Sequence, residues 1–284
     1  MALLITVLIC ALSSGVSAQI IHGMDNKVGK VDLGIPLDSS RYELIYELRT
    51  YDPINQDSRE NIRIMQIGDS CRGDEPYGNF RVDSVFWVIH EPQMRWNDAN
   101  HIFTGYGNVR GGRSGPIYNF DGNRWRDVEF VTLGPGGQAC AYDSTAVQNW
   151  ELLEGEMEIL GFKCRQARCT FRGRDWTAWY APEIAVDGGP WKLRGLPGLI
   201  LSAYSSDKEY AMDAVAVRNG SGIILMKPSK CTVMTRKAMT EKLKENREYP
   251  WRNVEPGGYG SVISGSPIDK NKRAFFNPIE KSLD

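Results

Sequence analysis

The sequence predicts a mainly β protein: a curved antiparallel sheet, a half-barrel in its more closed form, packed on one C-terminal helix. Three observations carry this. Apolar and polar residues alternate in short runs, first over residues 42–49 and again over 62–67. Strand-favouring runs then follow one another with no helical period between them, the order that builds an antiparallel sheet. Only residues 235–247 read clearly as a helix, with Thr232 or Thr235 available as the cap and Pro250 as the stop.

The chain opens on an apolar run ending in Val16-Ser17-Ala18, the small-residue pattern that signal peptidase accepts before Gln19. Residues 1–18 are therefore expected to be a cleaved signal peptide and the protein to be exported. Ile9 stands before Cys10 where lipidation needs a small residue, so an unlipidated mature end is expected. No later stretch approaches the ~20 apolar residues of a spanning helix, so the mature chain is expected to lack a transmembrane segment. Residues 19–40 carry little periodicity and read as a mobile lead-in.

Strand signals begin immediately afterwards. Tyr42, Leu44, Tyr46 and Leu48 fall on one face of the first run, and Asp52-Pro53 marks a turn. Ile62, Ile64 and Gln66 share a side of the second run, closed by Gly68-Asp69. Residues 82–89 read as a third strand. Between 105 and 123 the glycines Gly105, Gly107, Gly111, Gly112, Gly115 and Gly122 predict a long loop or loose hairpin, and Gly134-Pro135-Gly136-Gly137 a further break. Strand-favouring residues return over 162–180. Residues 199–204 and 210–217 form a hairpin signal joined through Ser205-Ser206-Asp207-Lys208. The Gly- and Ser-rich stretch 256–266 has no core of its own.

A chain of 284 residues can bury a self-sufficient core. Its 34 basic and 35 acidic residues leave a net charge of -1, with no field to attract nucleic acid, and no nucleic-acid partner is expected. Beyond the signal run stand Cys71, Cys140, Cys164, Cys169 and Cys231, an odd set in a compartment that permits disulfides. Cys164 and Cys169 are five steps apart in one predicted strand, ~16 Å by strand rise. A disulfide needs Cα atoms within about 7 Å, so these two do not pair unless the strand breaks.

No catalytic residue is assigned, and no cofactor is implied. The three histidines are His22, His90 and His101, none beside a nucleophile motif. Ser114 misses the G-x-S-x-G elbow by its last residue. A hydrolase remains the rival to a binding protein, with His90 or His101 converging on a distant Ser or Asp. Asp83 with Glu91, and Asp175 with Glu183, are carboxylate pairs whose spacing predicts exposed charge, and Arg174 and Asp175 read as solvated turn residues. A metal-handling alternative rests on Cys164, Cys169, His22 and nine methionines, but no ligand spacing repeats and no metal site is assigned. Lys242 and Lys244 give the C-terminal helix a basic face, a weaker candidate for an acidic partner.

The most distinctive stretch runs Gly188-Gly189-Pro190-Trp191-Lys192-Leu193-Arg194-Gly195-Leu196-Pro197-Gly198-Leu199-Ile200-Leu201. Gly195 and Gly198 bracket Leu196-Pro197, a pattern for a sharp turn in which Pro fixes φ and Gly accepts a positive one. Trp176, Trp179 and Trp191 supply large apolar surfaces near it, each able to bury about 150–250 Å². Such a cluster reads as a structural corner or as a wedge for a partner.

GPWKLRGLPGLIL resembles the defining motif of the GLPGLI family, and FRGRDWTAWYAPEI before it agrees. So do RIMQIGDS, VDSVF, NWELLEGEMEILGFKCRQA, the TRKAM helix start and NPIE at 277–280, with residues 87–148 departing most. The resemblance implies a single β-rich domain over 41–284, and secretion to the periplasm or outer-membrane side of Bacteroidota cells. It implies a TonB-dependent receptor as a candidate partner, with no established activity. An apolar ligand held in a concave sheet is the other candidate. The residues it marks for structure or partner contact are Gly189, Pro190, Trp191, Lys192, Gly195, Leu196, Pro197, Gly198, Leu199 and Ile200.

Overall fold

The computed structural model describes residues 28–30, 34–54, 56–90, 93–105, 117–121, 124–132, 138–144, 148–226, 231–248 and 279–281. The signal run, His22, Ser114, Glu91 and the 256–266 stretch lie outside them. In chain order the elements begin with β1 (Val28–Lys30), β2 (Ile35–Ser39), β3 (Tyr42–Asp52), β4 (Asp57–Ile67) and β5 (Cys71–Pro76). Then come α1 (Tyr77–Ile89), β6 (Gln93–Arg95), α2 (Trp96–Gly105), β7 (Ile117–Asp121), β8 (Arg124–Thr132) and β9 (Gln138–Ser144). The rest are β10 (Glu151–Ile159), β11 (Phe162–Phe171), β12 (Arg174–Ala181), β13 (Leu199–Ser205), β14 (Tyr210–Asn219), β15 (Ile223–Met226), β16 (Cys231–Val233) and α3 (Arg236–Glu248).

Twelve strands form one sheet in the order β10-β11-β12-β13-β14-β3-β4-β5-β7-β8-β9-β16. Every pairing in it is antiparallel except the last, where β16 runs parallel to β9. The sheet is open. Its tight hairpins use the chemistry such turns require: Leu160-Gly161 joins β10 to β11 and Arg172-Gly173 joins β11 to β12, both pairs at positive φ. Register shifts at Leu152/Glu156, Trp179/Tyr180 and Ala214/Ala216 are the irregularities by which strands bend out of a flat ribbon.

The main core lies on one face of this sheet. Leu44 and Tyr46 are buried in it with Tyr42 and Leu48 packed alongside, the face that alternation in β3 predicts. Leu44 pairs with Met65 and Tyr42 with Ile67, which brings the matching face of β4 into the same cluster. Ala167, Ala178 and Ala203 lie side by side across β11, β12 and β13, and these small residues leave room for Trp176, Trp191 and Leu193. On the opposite face Glu43, Ile45, Ile64 and Gln66 are also buried. Ile62 on that face is 40% exposed.

Two expectations are corrected. Residues 82–89 form most of α1 rather than a third strand. Val82, Val85, Val88 and Ile89 favour a strand locally, but Asn79, Val82 and Phe86 make a buried stripe at helical spacing. Val82 and Phe86 pack with Ala99 of α2, Met94 and Ile102 into a small second core, so packing overrides propensity. The described residues thus contain α1, α2 and α3 instead of one C-terminal helix. Within the expected lead-in, residues 35–39 form a strand that pairs antiparallel with β15, and residues 28–30 pair with β6.

The other elements match their signals. β13 and β14 form the expected hairpin, held where Ser205 Oγ donates to Asp207 and accepts from the Tyr210 N–H at 3.1 Å. α3 is capped by Thr235, whose Oγ1 accepts from the Ala238 N–H at 3.2 Å. β7 and β8 form a hairpin at the end of the Gly-dense stretch.

Candidate functional site

The loop 182–198 carries the motif between β12 and β13 and folds back onto the core. Gly195 has φ of +92° and Gly198 of +152°, the positive angles the sequence pattern requires. A Cβ at Gly198 would lie 2.3 Å from the Ala181 carbonyl oxygen, so only glycine closes the turn against β12. Gly189, Pro190, Trp191, Lys192, Leu196, Gly198, Leu199 and Ile200 are all buried. Among the ten marked residues Gly195 and Pro197 alone are exposed, at the tip.

Polar contacts lock the loop from both sides. Gln148 Nε2 donates to the Lys192 carbonyl at 2.6 Å, the Arg194 N–H donates to Gln148 Oε1 at 2.9 Å, and Trp150 Nε1 donates to the Arg194 carbonyl at 2.7 Å. The Gly195 N–H donates to Asp187 Oδ1 at 2.6 Å. Trp191 takes a positive φ and stacks obliquely on Trp176 and Phe171, each 5.7 Å away between ring centres. Trp179 packs at the margin of the same cluster. Lys192 is paired with Glu280, whose other oxygen accepts from Arg236 at 3.3 Å. This corner is packed as a buttress.

Arg174 departs from its expected solvated role. Its side chain is fully buried against Asp207 and Glu209, donates from Nε to the Ile279 carbonyl at 3.0 Å, and lies 4.6 Å from the Tyr210 ring centre. The β13–β14 turn carries the two carboxylates over β12, a contact that local spacing does not reveal. Asp175 accepts from Thr170 Oγ1 at 2.6 Å. A second buried network joins Tyr46, Asp74 and Arg63: the phenol donates to Asp74 at 3.0 Å and Arg63 Nε donates to both. Burial first, and the Asp74 charge second, push the Tyr46 phenol far above its usual range.

Across the sheet from the corner, α1 and the start of β15 form a groove of about 240 Å³. Phe80, Asp83, Ser84, Trp87 and Val88 make one wall, Ser221, Gly222, Ile223 and Leu225 the other, and Glu75 of β5 also lines it. The wall residues of α1 recur at i, i+3, i+4, i+7 and i+8, one helical face. The opposite wall is held in place: buried Glu43 accepts from Arg218 Nε at 2.6 Å and from the N–H groups of Ser221 and Gly222 at 3.4 and 3.3 Å. The Ser40 N–H donates to the Gly222 carbonyl at 2.9 Å, which pins the same turn to the end of β2. The groove is preformed.

Sequence reasoning missed this groove because it read residues 82–89 as a strand. The signal was present in the helical spacing of Phe80, Asp83, Ser84, Trp87 and Val88 behind Pro76, which ends β5.

The remaining candidates are scattered. His90 ends α1 in a left-handed conformation and meets Trp87 edge-on at 5.6 Å, while His101 is exposed on α2. Cys71, Cys164 and Cys169 are buried free thiols. Burial, with Asp38 and Asp175 nearby respectively, pushes the Cys71 and Cys169 thiols up to about 12. Among the described residues no group of three His, Cys, Asp or Glu is placed to hold a metal ion, and no helix is long and apolar enough to cross a membrane.

A family model described as "Protein of unknown function (Porph_ging)" matches residues 166–202, from β11 through the corner into β13. No curated protein matches the chain. Among solved structures, PNGF-II in its P21 crystal form is similar at 15% identity and a TM-score of 0.47, and in its C2 form at 14% and 0.49. In both cases 74% of this chain aligns with 34% of the PNGF-II chain, so this protein spans about a third of that length. The chain is therefore similar, over the stretch that contains the corner, to a family of unknown function.

Proposed function

We propose that this is an exported, non-enzymatic binding or accessory protein of the periplasm or outer membrane, which holds a small ligand with an apolar part in the α1–β15 groove and serves a TonB-dependent transporter. The observation that carries the reading is the division of labour between the two features. The motif corner is consumed by the core, whereas the groove presents Phe80, Trp87 and Val88 on one wall and Ile223 and Leu225 on the other, behind a turn pinned by Glu43. Export rests on the apolar run ending in Val16-Ser17-Ala18, and the transporter on the family resemblance of the motif.

Native mass spectrometry of the mature protein purified from its own envelope tests this. The expected result is a retained small molecule in the wild type and its loss from Ser84→Trp, which fills the groove, with circular dichroism unchanged. Absence of any retained molecule from the wild type, or its retention in both proteins, contradicts the groove as the binding site.

A further inference from the structure

We propose that the outer edge of β10 docks an extended segment of a partner protein in which basic and apolar residues alternate. This surface is separate from the groove and does not rest on its reading: β11, β12, β13, β14, β3 and β4 lie between β10 and β5 in the sheet. β10 ends the row of twelve strands and pairs on one side only, with β11. Along its other side no strand lies beside it among the described residues. A row of main-chain N–H and C=O groups exposed in this way is the template that an added strand completes.

The core runs out uncovered at this edge. Leu152 stands opposite Ala167 and Met157 opposite Cys164, and both partners on β11 are buried in the main cluster. Leu152 and Met157 themselves are 58% and 42% exposed. Residues directly opposite each other share a face of the sheet, so a further strand would continue the burial that β11 begins. The register shift between Leu152 and Glu156 interrupts the edge and leaves residues 156–159 as its longest regular stretch.

Charge defines the partner. β10 carries Glu151, Glu154, Glu156 and Glu158 and no basic residue. Glu151 is paired with Arg168, whereas Glu154, Glu156 and Glu158 are exposed and join no ion pair among the described residues. The strand already paired with β10 shows what complements this row. Lys163 stands opposite Glu158, Cys164 opposite Met157 and Arg165 opposite Glu156, an alternation of basic, apolar and basic. A strand added on the outer side faces the same row and is matched by the same pattern, since opposite charges and apolar contacts across strands each favour pairing. A second copy of this chain fits badly. In the register that keeps the apolar sides of two β10 strands together, glutamate meets glutamate, and like charges directly opposite destabilise the pair. The uniform sign therefore closes the edge to self-association and leaves it open to a basic strand.

The test is fluorescence anisotropy of the mature protein with labelled eight-residue peptides blocked at both ends. One alternates lysine with valine, one has the same composition as a lysine block followed by a valine block, and one alternates glutamate with valine. A fourth is the alternating lysine and valine peptide on a fully N-methylated backbone, which keeps the charge and removes the main-chain donors. The expected result is saturable binding of the first peptide, at least 10-fold tighter than the block and N-methylated peptides and weakened by salt, with no binding of the glutamate peptide. The double variant Glu156→Gln, Glu158→Gln should weaken it at least 10-fold with circular dichroism unchanged. By NMR, the amides of residues 156–159 that point away from β11 should exchange fast in the free protein and slowly in the complex. Equal binding of the alternating and block peptides, or of the N-methylated one, or no binding at all, overturns the proposal. So does slow exchange of those amides in the free monomer, which gives the edge to another part of this chain, or a dimer that protects them, which gives it to a second copy. The comparison among peptides on the wild type does not depend on any variant folding.

Discussion

Lys192 and Glu280 form an ion pair in which the side chains are 1% and 11% exposed, and it joins the motif loop to the chain's C-terminal segment 88 residues away. Arg236 at the start of α3 shares the same carboxylate. Arg174 and Lys281 secure the segment from the other side, through the Ile279 carbonyl and through the Lys281 N–H donating to the Arg172 carbonyl at 2.8 Å. The corner, the helix and the tail therefore depend on one another.

Removing one member of that pair leaves a buried charge without its partner, which costs about 3–5 kcal/mol. Glu280→Gln should lower urea-unfolding stability by that order, whereas Lys192→Met should cost less, because Arg236 still pairs with the carboxylate. Equal stability of Glu280→Gln and wild type would show that the tail is not docked.

Leu196 is 4% exposed in the core, so Leu196→Ala should cost about 2–5 kcal/mol through lost burial and the cavity left behind. Gly198→Ala should fail to fold or lose more, because the added methyl meets the Ala181 carbonyl. Chemical denaturation of the first and soluble yield of the second check both. Wild-type stability in Leu196→Ala would return the motif to the role of a partner wedge.

The buried thiols should be inert. Cys71, Cys164 and Cys169 are each under 10% exposed, and burial raises all three above the ordinary thiol value. Iodoacetamide at pH 8 followed by peptide mapping should leave these positions unmodified in the native protein and label them after unfolding. Labelling in the native state would contradict the packing of β5 and β11.

Acid should destabilise the fold through Asp207 and Asp38. Partial burial acts to raise each carboxyl, but hydrogen bonds outweigh it: Lys281, Ser205 and the Glu209 N–H act on Asp207 together with the Arg174 charge, and Ser70, Ser39 and Cys71 act on Asp38. Both folded values lie below the unfolded one near 3.8. A depressed carboxylate contributes its stability fully above the unfolded value and loses it as pH falls through the folded one. Thermal midpoints should therefore drop below about pH 4. Asp207→Asn should be less stable than wild type at pH 7 and show a shallower acid slope. Parallel acid profiles would remove Asp207 from the account.

Much of the sheet was legible in the sequence because alternation and turn residues are local signals. Tyr42, Leu44, Tyr46 and Leu48 declared their shared face, and Gly195 and Gly198 declared a turn whose φ values the structure bears out. What the sequence concealed is long-range or ambiguous. Val82, Val85 and Val88 satisfy a strand locally, and only the packing of Val82 and Phe86 on α2 decides for a helix. Arg174 looks like a turn residue until the β13–β14 hairpin delivers Asp207 and Glu209 to it. The groove fell with the misread helix, since its wall exists only at helical spacing.

The central claim is that the groove, and not the motif corner, makes the functional contact. Pro197 is exposed at the tip of the corner, so Pro197→Glu alters that surface without entering the core, while Ser84→Trp alters the groove alone. The deciding measurement is quantitative affinity capture from native outer-membrane extract with wild type, Pro197→Glu and Ser84→Trp side by side. The account predicts that Pro197→Glu recovers the same TonB-dependent receptor and small molecule as wild type, and that Ser84→Trp loses the small molecule. Loss of both from Pro197→Glu with full recovery by Ser84→Trp would contradict it.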